Sequence, residues 1–121
     1  MKIRRTFSFD AAHRLDSYHG KCERLHGHTY AFSLTVEGKP DGEGMVMDFV
    51  VLKRLTEEQV LSRLDHAFLN DLIPQPTAEN IAVWIWRAVE EGIRQKGGRL
   101  CEVEVWETKD SSAIVTWEDL R

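Results

Sequence analysis

The chain has 121 residues, a length that favours a single domain, because domains typically contain about 100–200 residues. Sixteen Lys and Arg against 20 Asp and Glu give a formal net charge of −4, which argues against an extended nucleic-acid surface, since phosphate binding needs clustered positive charge. There is neither a run of about 20 apolar residues for a membrane helix nor a secretory apolar region after the charged start, so we expect a cytoplasmic single domain over residues 1–121 without membrane or nucleic-acid partners.

Two segments with alternating side chains predict strands in the first third of the chain. In residues 2–14 the aromatic side chains and His13 share the odd positions, which is the period-2 pattern of a strand. In residues 26–36 the even positions are histidine or apolar, whereas Thr and Ser take most of the odd ones. A proline and three glycines over residues 38–44 predict the turn that ends this β half.

Two amphipathic helices are predicted in the middle of the chain. Asp48 can cap a helix over residues 49–64, whose apolar stripe is helical but irregular. Thr77 can cap a second helix, which ends where Gly97 begins a pair of glycines.

The last part of the chain predicts two more strands. Alternation over residues 100–107 and again at 113–117 is separated by a polar turn at 109–112. The order β-β-α-α-β-β indicates an α+β domain, with a four-stranded antiparallel sheet and both helices on one face. Its strands contain more apolar positions than one sheet usually leaves exposed, so we expect an oligomer that covers the second face; these positions are Phe7, Phe9, Phe32, Leu34, Val103 and Val115.

Three histidines lie at the ends of the first two predicted strands. Side chains two residues apart on a strand face the same way, so His26 and His28 can point at one ion. An antiparallel neighbour that ends at His13 can supply a third nitrogen. Three imidazoles with an open fourth position are typical of a catalytic zinc site, although any one of these histidines alone could simply bond to backbone.

The two cysteines are expected to be reduced and to differ in role. Cys22 lies four residues before His26 and beside Lys21 and Arg24, so it could be a thiolate that takes a proton from a substrate. Cys101 is expected to be a small buried hydrophobe.

Three acidic or basic residues in the second half are further candidates. Asp65 and His66 could form a proton relay, but neighbours on a regular helix point about 100° apart, so direct pairing needs an irregular backbone. The alternative is a helix end with His66 against the helix dipole. Glu107 ends an apolar strand face with a carboxylate that needs a partner, either a basic residue or the paired N–H groups of an amino-heterocycle.

Taken together, these motifs resemble the 6-pyruvoyl-tetrahydropterin synthase superfamily over nearly the whole chain, and within it the branch of queuosine biosynthesis. The elements that carry the resemblance are residues 9–13 (FDAAH), 22–28 (CERLHGH), 48–49 (DF), 64–71 (LDHAFLND), 76–80 (PTAEN) and 106–108 (WET). The resemblance implies a tunnelling fold, in which the sheets of several protomers join into a barrel as a trimer or a pair of trimers. Active sites then lie at subunit interfaces.

The resemblance also implies roles for individual residues. It implies that the zinc ligands are His13, His26 and His28. It implies that the catalytic residues are Cys22, Asp65 and His66. It implies that the substrate is bound by Glu107, Thr108, Lys21 and Arg24. The implied substrate is 7,8-dihydroneopterin triphosphate, which would lose triphosphate and acetaldehyde to give a 6-carboxytetrahydropterin. Zinc would acidify the side-chain hydroxyls of that substrate.

Alternative functions remain open from the sequence. Glu23 stands at the spacing of a folate-pathway subgroup that uses a glutamate in place of the cysteine, so it is an alternative base. The chain could then be bifunctional, or a lyase that gives 6-hydroxymethyl-dihydropterin; a 6-pyruvoyl product is a further alternative. Outside enzymes, the same residues could build a non-catalytic zinc- or pterin-binding module, or an oligomeric scaffold without metal.

Overall fold

A mixed five-stranded sheet forms the centre of the computed structural model, which describes residues 1–15 and 24–120. The strands in chain order are β1 Lys2–His13, β2 His26–Glu37, β3 Ala67–Phe68, β4 Arg99–Thr108 and β5 Ser111–Val115. Their order across the sheet is β3-β1-β2-β4-β5, and all neighbours are antiparallel except β3, which runs parallel to β1. The prediction of four antiparallel strands is therefore wrong by one strand. β3 has only two residues, too few to show any periodicity.

Both predicted helices are present, and the irregular apolar stripe of the first has a structural cause. The helical elements are α1 Phe49–Thr56, a π-helical turn Glu57–Leu61, α2 Ser62–Leu64 and α3 Ala78–Gln95. A π-turn inserts one extra residue into the helical repeat, so the apolar positions before and after it fall out of phase. The predicted caps are confirmed: Asp48 accepts from Val50 N, and Thr77 accepts from Asn80 N.

The C-terminal strand is shifted from its predicted position. β5 begins at Ser111, inside the stretch predicted as a turn, and it ends at Val115. Trp117 lies in a 3₁₀ turn, Trp117–Leu120, rather than in a strand. Another 3₁₀ turn, Leu69–Asp71, follows β3.

One face of the sheet packs against the helices and forms the hydrophobic core. Phe32, Leu34 and Val103 have no exposed surface, and they share one apolar cluster with α3 residues such as Ile85 and Val89. The strand pattern predicts that these apolar positions lie on an uncovered face that an oligomer must bury. That premise is wrong, because within the single chain they are buried in the same core cluster as the helices. These residues are Phe7, Phe9, Phe32, Leu34, Val103 and Val115.

The register of the sheet brings three strand ends to one edge of the molecule. His13 at the end of β1 lies opposite His26 at the start of β2, and Ala31 of β2 lies opposite Trp106 near the end of β4. Side chains at this edge of the helix-covered face therefore meet. Among the described residues no helix is long and apolar enough to cross a membrane.

Candidate metal and active site

The three histidines predicted as metal ligands meet at the strand ends. His13 is fully buried, whereas His26 and His28 are partly exposed. The pairing of His13 with His26 and of Ala11 with His28 brings the three rings into edge-to-face contact on the helix-covered face of the sheet. One ligand atom from each ring and a carboxylate oxygen of Glu107 all lie within 4.8 Å of one another. The predicted convergence of His13, His26 and His28 is confirmed.

Backbone carbonyls fix the orientation of two of the rings. His13 Nδ1 lies 2.8 Å from the Pro76 carbonyl oxygen, and His26 Nδ1 lies 2.7 Å from the Arg24 carbonyl oxygen. Because a carbonyl can only accept a hydrogen bond, each Nδ1 carries the proton and donates it. Each Nε2 is then left with a free lone pair, as in metal-binding histidines whose other nitrogen donates to an outer partner.

The two lone pairs make the cluster suitable for a cation. His13 Nε2 and His26 Nε2 are 3.0 Å apart, close to the separation of about 3.3 Å expected for two nitrogens on one tetrahedral zinc ion. Without positive charge between them, two lone pairs at this distance repel. The donor set therefore fits a metal ion, with His13, His26 and His28 as candidate ligands and the Glu107 carboxylate beside them.

The His28 ring faces Glu107 without forming a hydrogen bond. Its Nε2 is buried and unsatisfied among the described residues, although the Glu107 Oε1 atom lies 3.3 Å away. Burial lowers the pKa of His28, and the neighbouring His26 and His13 lower it further, whereas the Glu107 carboxylate acts in the opposite direction. Those effects favour the neutral imidazole, which is the form that binds a metal.

Glu107 reaches this cluster from an irregular position in β4. Trp106 pairs with Ser112 and Thr108 pairs with Ser111, so Glu107 is the extra residue of a bulge between β4 and β5. Bulges are common next to active sites, where they re-aim a side chain. Glu107 thus lies beside the three histidines, and in the part of the chain that the structure describes its carboxylate faces His28.

Beyond Glu107 lies an open pocket of about 440 Å³, within the range of small-ligand sites. It is lined by Ala78, Glu79, Glu107, Thr108 and residues 111–114 of β5. Thr108, predicted to bind substrate, is exposed at its rim.

The predicted pairing of Asp65 with His66 occurs through an irregular backbone. Asp65 is extended and His66 is left-handed, with φ of 61°, so the two side chains turn towards each other and Asp65 Oδ2 lies 3.6 Å from His66 Nε2. Both residues are held by Asp10 of β1: its N–H donates to Asp65 Oδ1 at 3.0 Å, and its carbonyl accepts from His66 N at 2.6 Å. The His66 side chain is 79% exposed, and the pair is not part of the histidine–glutamate cluster.

Several predicted site residues lie outside the described part of the chain. These are the predicted base Cys22, the alternative base Glu23 and the predicted phosphate contact Lys21. Arg24 is described, and its side chain is exposed. Its backbone carbonyl, rather than its guanidinium, supports the cluster by accepting from His26.

The backbone carbonyls of Arg24 and Pro76, which hold the rings of His26 and His13, were not predicted from the sequence. A backbone carbonyl is present at every position, so the residue type carries no signal for this role. The nearest signal was the N-cap at Thr77, which located the start of α3 but not the direction of the preceding carbonyl.

Comparisons with known proteins agree on one family. The model of the family described as 6-pyruvoyl tetrahydropterin synthase matches residues 2–118. The 6-carboxy-5,6,7,8-tetrahydropterin synthase of Synechocystis is 44% identical over 92% of this chain and 89% of its own length. The dihydroneopterin monophosphate aldolase of Pyrococcus furiosus is 36% identical over 91% of this chain and 92% of its own. The 6-pyruvoyl tetrahydropterin synthase structure from Caenorhabditis elegans superposes with a TM-score of 0.84 at 26% identity, covering 96% of this chain and 94% of that one.

Proposed function

The chain belongs to the 6-pyruvoyl tetrahydropterin synthase family and is an enzyme of it; from this premise we propose its reaction. It converts 7,8-dihydroneopterin triphosphate and water to 6-carboxy-5,6,7,8-tetrahydropterin, acetaldehyde and triphosphate, as a cytoplasmic step of queuosine biosynthesis. The observation that carries the proposal is the joint cluster of three histidines and Glu107, which offers metal ligands and a carboxylate side by side. The 44% identity to the Synechocystis enzyme supports this particular reaction.

In this proposal the metal is zinc, held by His13, His26 and His28. Imidazole nitrogens suit zinc better than magnesium or calcium. When bound, the ion supplies Lewis acidity to the hydroxyl groups of the substrate side chain. The bonds from His13 Nδ1 and His26 Nδ1 to backbone carbonyls keep two of the three nitrogens in place for it.

Glu107 is proposed to bind the ring of the substrate. A carboxylate can accept two hydrogen bonds from the paired N–H groups of a pterin. The pocket lined by Glu107, Thr108, Ala78 and Glu79 opens beside it and could take the ring. The Glu107 carboxylate lies 3.3 Å from His28 Nε2, so a ring bound through Glu107 would lie beside the three histidines.

We propose that Cys22 is the base that accepts a proton and that the Asp65–His66 pair is the acid that donates one. The pair already meets, with Asp65 Oδ2 at 3.6 Å from His66 Nε2. Lys21 and Arg24 are proposed to contact the triphosphate through charge-assisted hydrogen bonds. The roles of Cys22 and Lys21 depend on the sequence alone, since both lie outside the described residues.

The proposed assembly is a trimer, or a pair of trimers, with sites at the subunit interfaces. Two strand edges support it. β1 pairs with β3 only at Ala11 and Ala12, and β5 is the last strand at the other side of the sheet. Among the described residues both outer edges therefore leave backbone donors and acceptors for another copy. The largely exposed His66 could then complete the site of a neighbour.

An activity assay with product identification tests the proposal. Zinc-loaded protein is incubated with 7,8-dihydroneopterin triphosphate, and the products are separated and identified by mass spectrometry. We expect 6-carboxytetrahydropterin together with acetaldehyde. Turnover to a 6-pyruvoyl product, or no turnover by protein that holds zinc, would contradict the proposed reaction.

A second candidate is cleavage of the side chain to 6-hydroxymethyl-dihydropterin. It is favoured by the 36% identity to the Pyrococcus dihydroneopterin monophosphate aldolase and by Glu23, which stands at the spacing of a glutamate base. In the same assay a Glu23→Ala variant separates the two. If hydroxymethyl-dihydropterin appears and depends on Glu23, the enzyme is bifunctional or belongs to folate synthesis; if the variant matches the wild type, Glu23 has no such role.

A further inference from the structure

The side chain of Asn80 reaches out of α3 to the loop before the helix. Its Nδ2 donates to the Gln75 carbonyl oxygen at 2.8 Å, while its own N–H donates to the capping Thr77 Oγ1 at 3.1 Å. Asn80 is therefore tied to Gln75 through its side chain and to Thr77 through its backbone N–H, and the carboxamide spans the short turn that leads into the helix. No step of the proposed reaction uses it.

The Gln75 carbonyl oxygen accepts a second hydrogen bond, from Thr77 N at 2.8 Å. The Thr77 N–H and the Pro76 carbonyl belong to one planar peptide unit and point in opposite directions. Holding the N–H on the Gln75 oxygen therefore also sets the direction of the Pro76 carbonyl.

The turn needs these bonds because its backbone is strained. Gln75 has a φ of 49°, in the left-handed region that residues with a side chain rarely adopt. Such a conformation persists only where the surroundings hold it. The two donors on the Gln75 carbonyl, one of them from Asn80, provide this restraint.

The Pro76 carbonyl is the group that accepts the Nδ1 proton of the fully buried His13. We infer that Asn80 is a positioning residue of the metal site, which acts through Gln75 and Pro76 to fix the tautomer and ring orientation of His13. The inference rests on the proposed role of His13 as a metal ligand. Asn80 itself touches neither metal nor substrate.

Two substitutions separate this role from helix stability. Asn80→Asp keeps the size of the side chain but has no N–H to donate, and a carboxylate in the first turn of a helix is favourable to the helix dipole. Asn80→Ala removes the side chain altogether. Ser62→Ala is the matched control, because it also removes one side-chain hydrogen bond to a backbone carbonyl, that of Glu58, outside the histidine cluster.

The first measurement is the zinc affinity of the full chain by competition with a chelator. Outer partners of metal ligands typically change metal affinity 10- to 100-fold, so we expect roughly tenfold weaker binding in both Asn80 variants. Ser62→Ala should bind zinc like the wild type, although it too loses a side-chain hydrogen bond and the stability that goes with it. Unchanged affinity in the Asn80 variants, or an equal loss in Ser62→Ala, would overturn the inference.

The second measurement needs no metal. Long-range ¹H–¹⁵N spectra of the metal-free protein report the tautomer of His13, and we expect the Nδ1–H form in the wild type and a mixture of both tautomers in Asn80→Asp. A wild type that binds no zinc would sink the proposed metal site, but the spectra would still decide the positioning role. An unchanged His13 tautomer in Asn80→Asp would then refute it.

Discussion

The Nε2 atoms of His13 and His26 lie 3.0 Å apart with both lone pairs turned inwards, because each ring donates its other N–H to a backbone carbonyl. Neither ring can turn its N–H into the gap without giving up that bond. Holding the two Nε2 acceptors this close costs free energy because their lone pairs repel. A cation bound between them would offset that cost and should therefore stabilise the folded chain.

Removal of zinc should lower the melting temperature, and His26→Ala should abolish the difference. A ligand that binds only the folded state stabilises it by about 2.7 kcal/mol when present at 100 times its dissociation constant. The measurement is a thermal melt with chelator, followed by re-addition of zinc. His66→Ala is the control and should keep the zinc-dependent shift, because His66 lies outside the cluster. An undiminished shift in His26→Ala would contradict the assignment.

Glu107→Gln should separate a substrate anchor from a fourth metal ligand. Glutamine keeps the shape of the side chain but cannot accept two hydrogen bonds from paired N–H groups. If Glu107 binds the ring, we expect zinc affinity close to that of the wild type and a KM raised at least tenfold, a loss typical of a hydrogen bond to a charged group. A large loss of zinc with an unchanged KM would instead make the carboxylate a metal ligand.

Strand periodicity was enough to predict the histidine cluster but not what surrounds it. His13, His26 and His28 could be placed together because alternation fixes which face a side chain takes, and antiparallel pairing fixes which ends meet. The carbonyls of Arg24 and Pro76 could not be found in this way, since their role depends on local backbone direction.

The errors in the predicted fold have similar physical reasons. β3 has two residues and is held as a strand only by β1, so no local pattern marks it. Ser111 and Ser112 read as a turn, but pairing with β4 extends them. Phe7 and Val115 were expected on an uncovered face, because one-dimensional alternation does not reveal how much area the two helices cover.

His66→Gly should remove activity while making the protein more stable than His66→Ala. The φ of 61° at this position is unfavourable for any residue with a Cβ and acceptable for glycine. We therefore expect His66→Gly to exceed His66→Ala in stability by about 1 kcal/mol in urea denaturation, with kcat equally reduced in both. If the two variants retained wild-type kcat, the imidazole would have no part in proton transfer.

Cys101 should react slowly with iodoacetamide at neutral pH. Burial raises the pKa of this thiol, and Glu37 raises it further, while its Sγ lies 3.3 Å from the Thr35 carbonyl oxygen. Because the folded pKa exceeds the unfolded one, the stability from the neutral thiol is complete below the unfolded pKa of about 9.0 and is lost as the pH rises through the folded pKa. The measurement is alkylation against pH in a Cys22→Ser background. Equal rates for the folded and the denaturant-unfolded chain at pH 9 would contradict the shift.

Asn70 should hold the end of β1 next to the metal site. Its Oδ1 accepts from Arg14 N at 2.8 Å and its Nδ2 donates to the Arg14 carbonyl at 2.7 Å, so a side-chain amide continues the pairing of β1 with β3. Asn70→Ala removes both bonds, whereas Asn70→Asp keeps only the acceptor. Each bond contributes about 1 kcal/mol, so both variants should lose stability in urea denaturation.

Hydrogen exchange at the Arg14 amide distinguishes the two variants. We expect fast exchange in Asn70→Ala, where the N–H has lost its acceptor, and retained protection in Asn70→Asp, where the acceptor remains. The Glu43 amide, held by Asp41 Oδ1 at 2.8 Å, is an internal control and should exchange alike in all three proteins. Glu43 lies in the loop after β2, at the end of that strand opposite His26. Faster exchange of its amide would therefore indicate that the substitution destabilises the whole protein rather than the end of β1. Equal Arg14 protection in Asn70→Ala and the wild type would mean that β2 alone holds the strand end that carries His13.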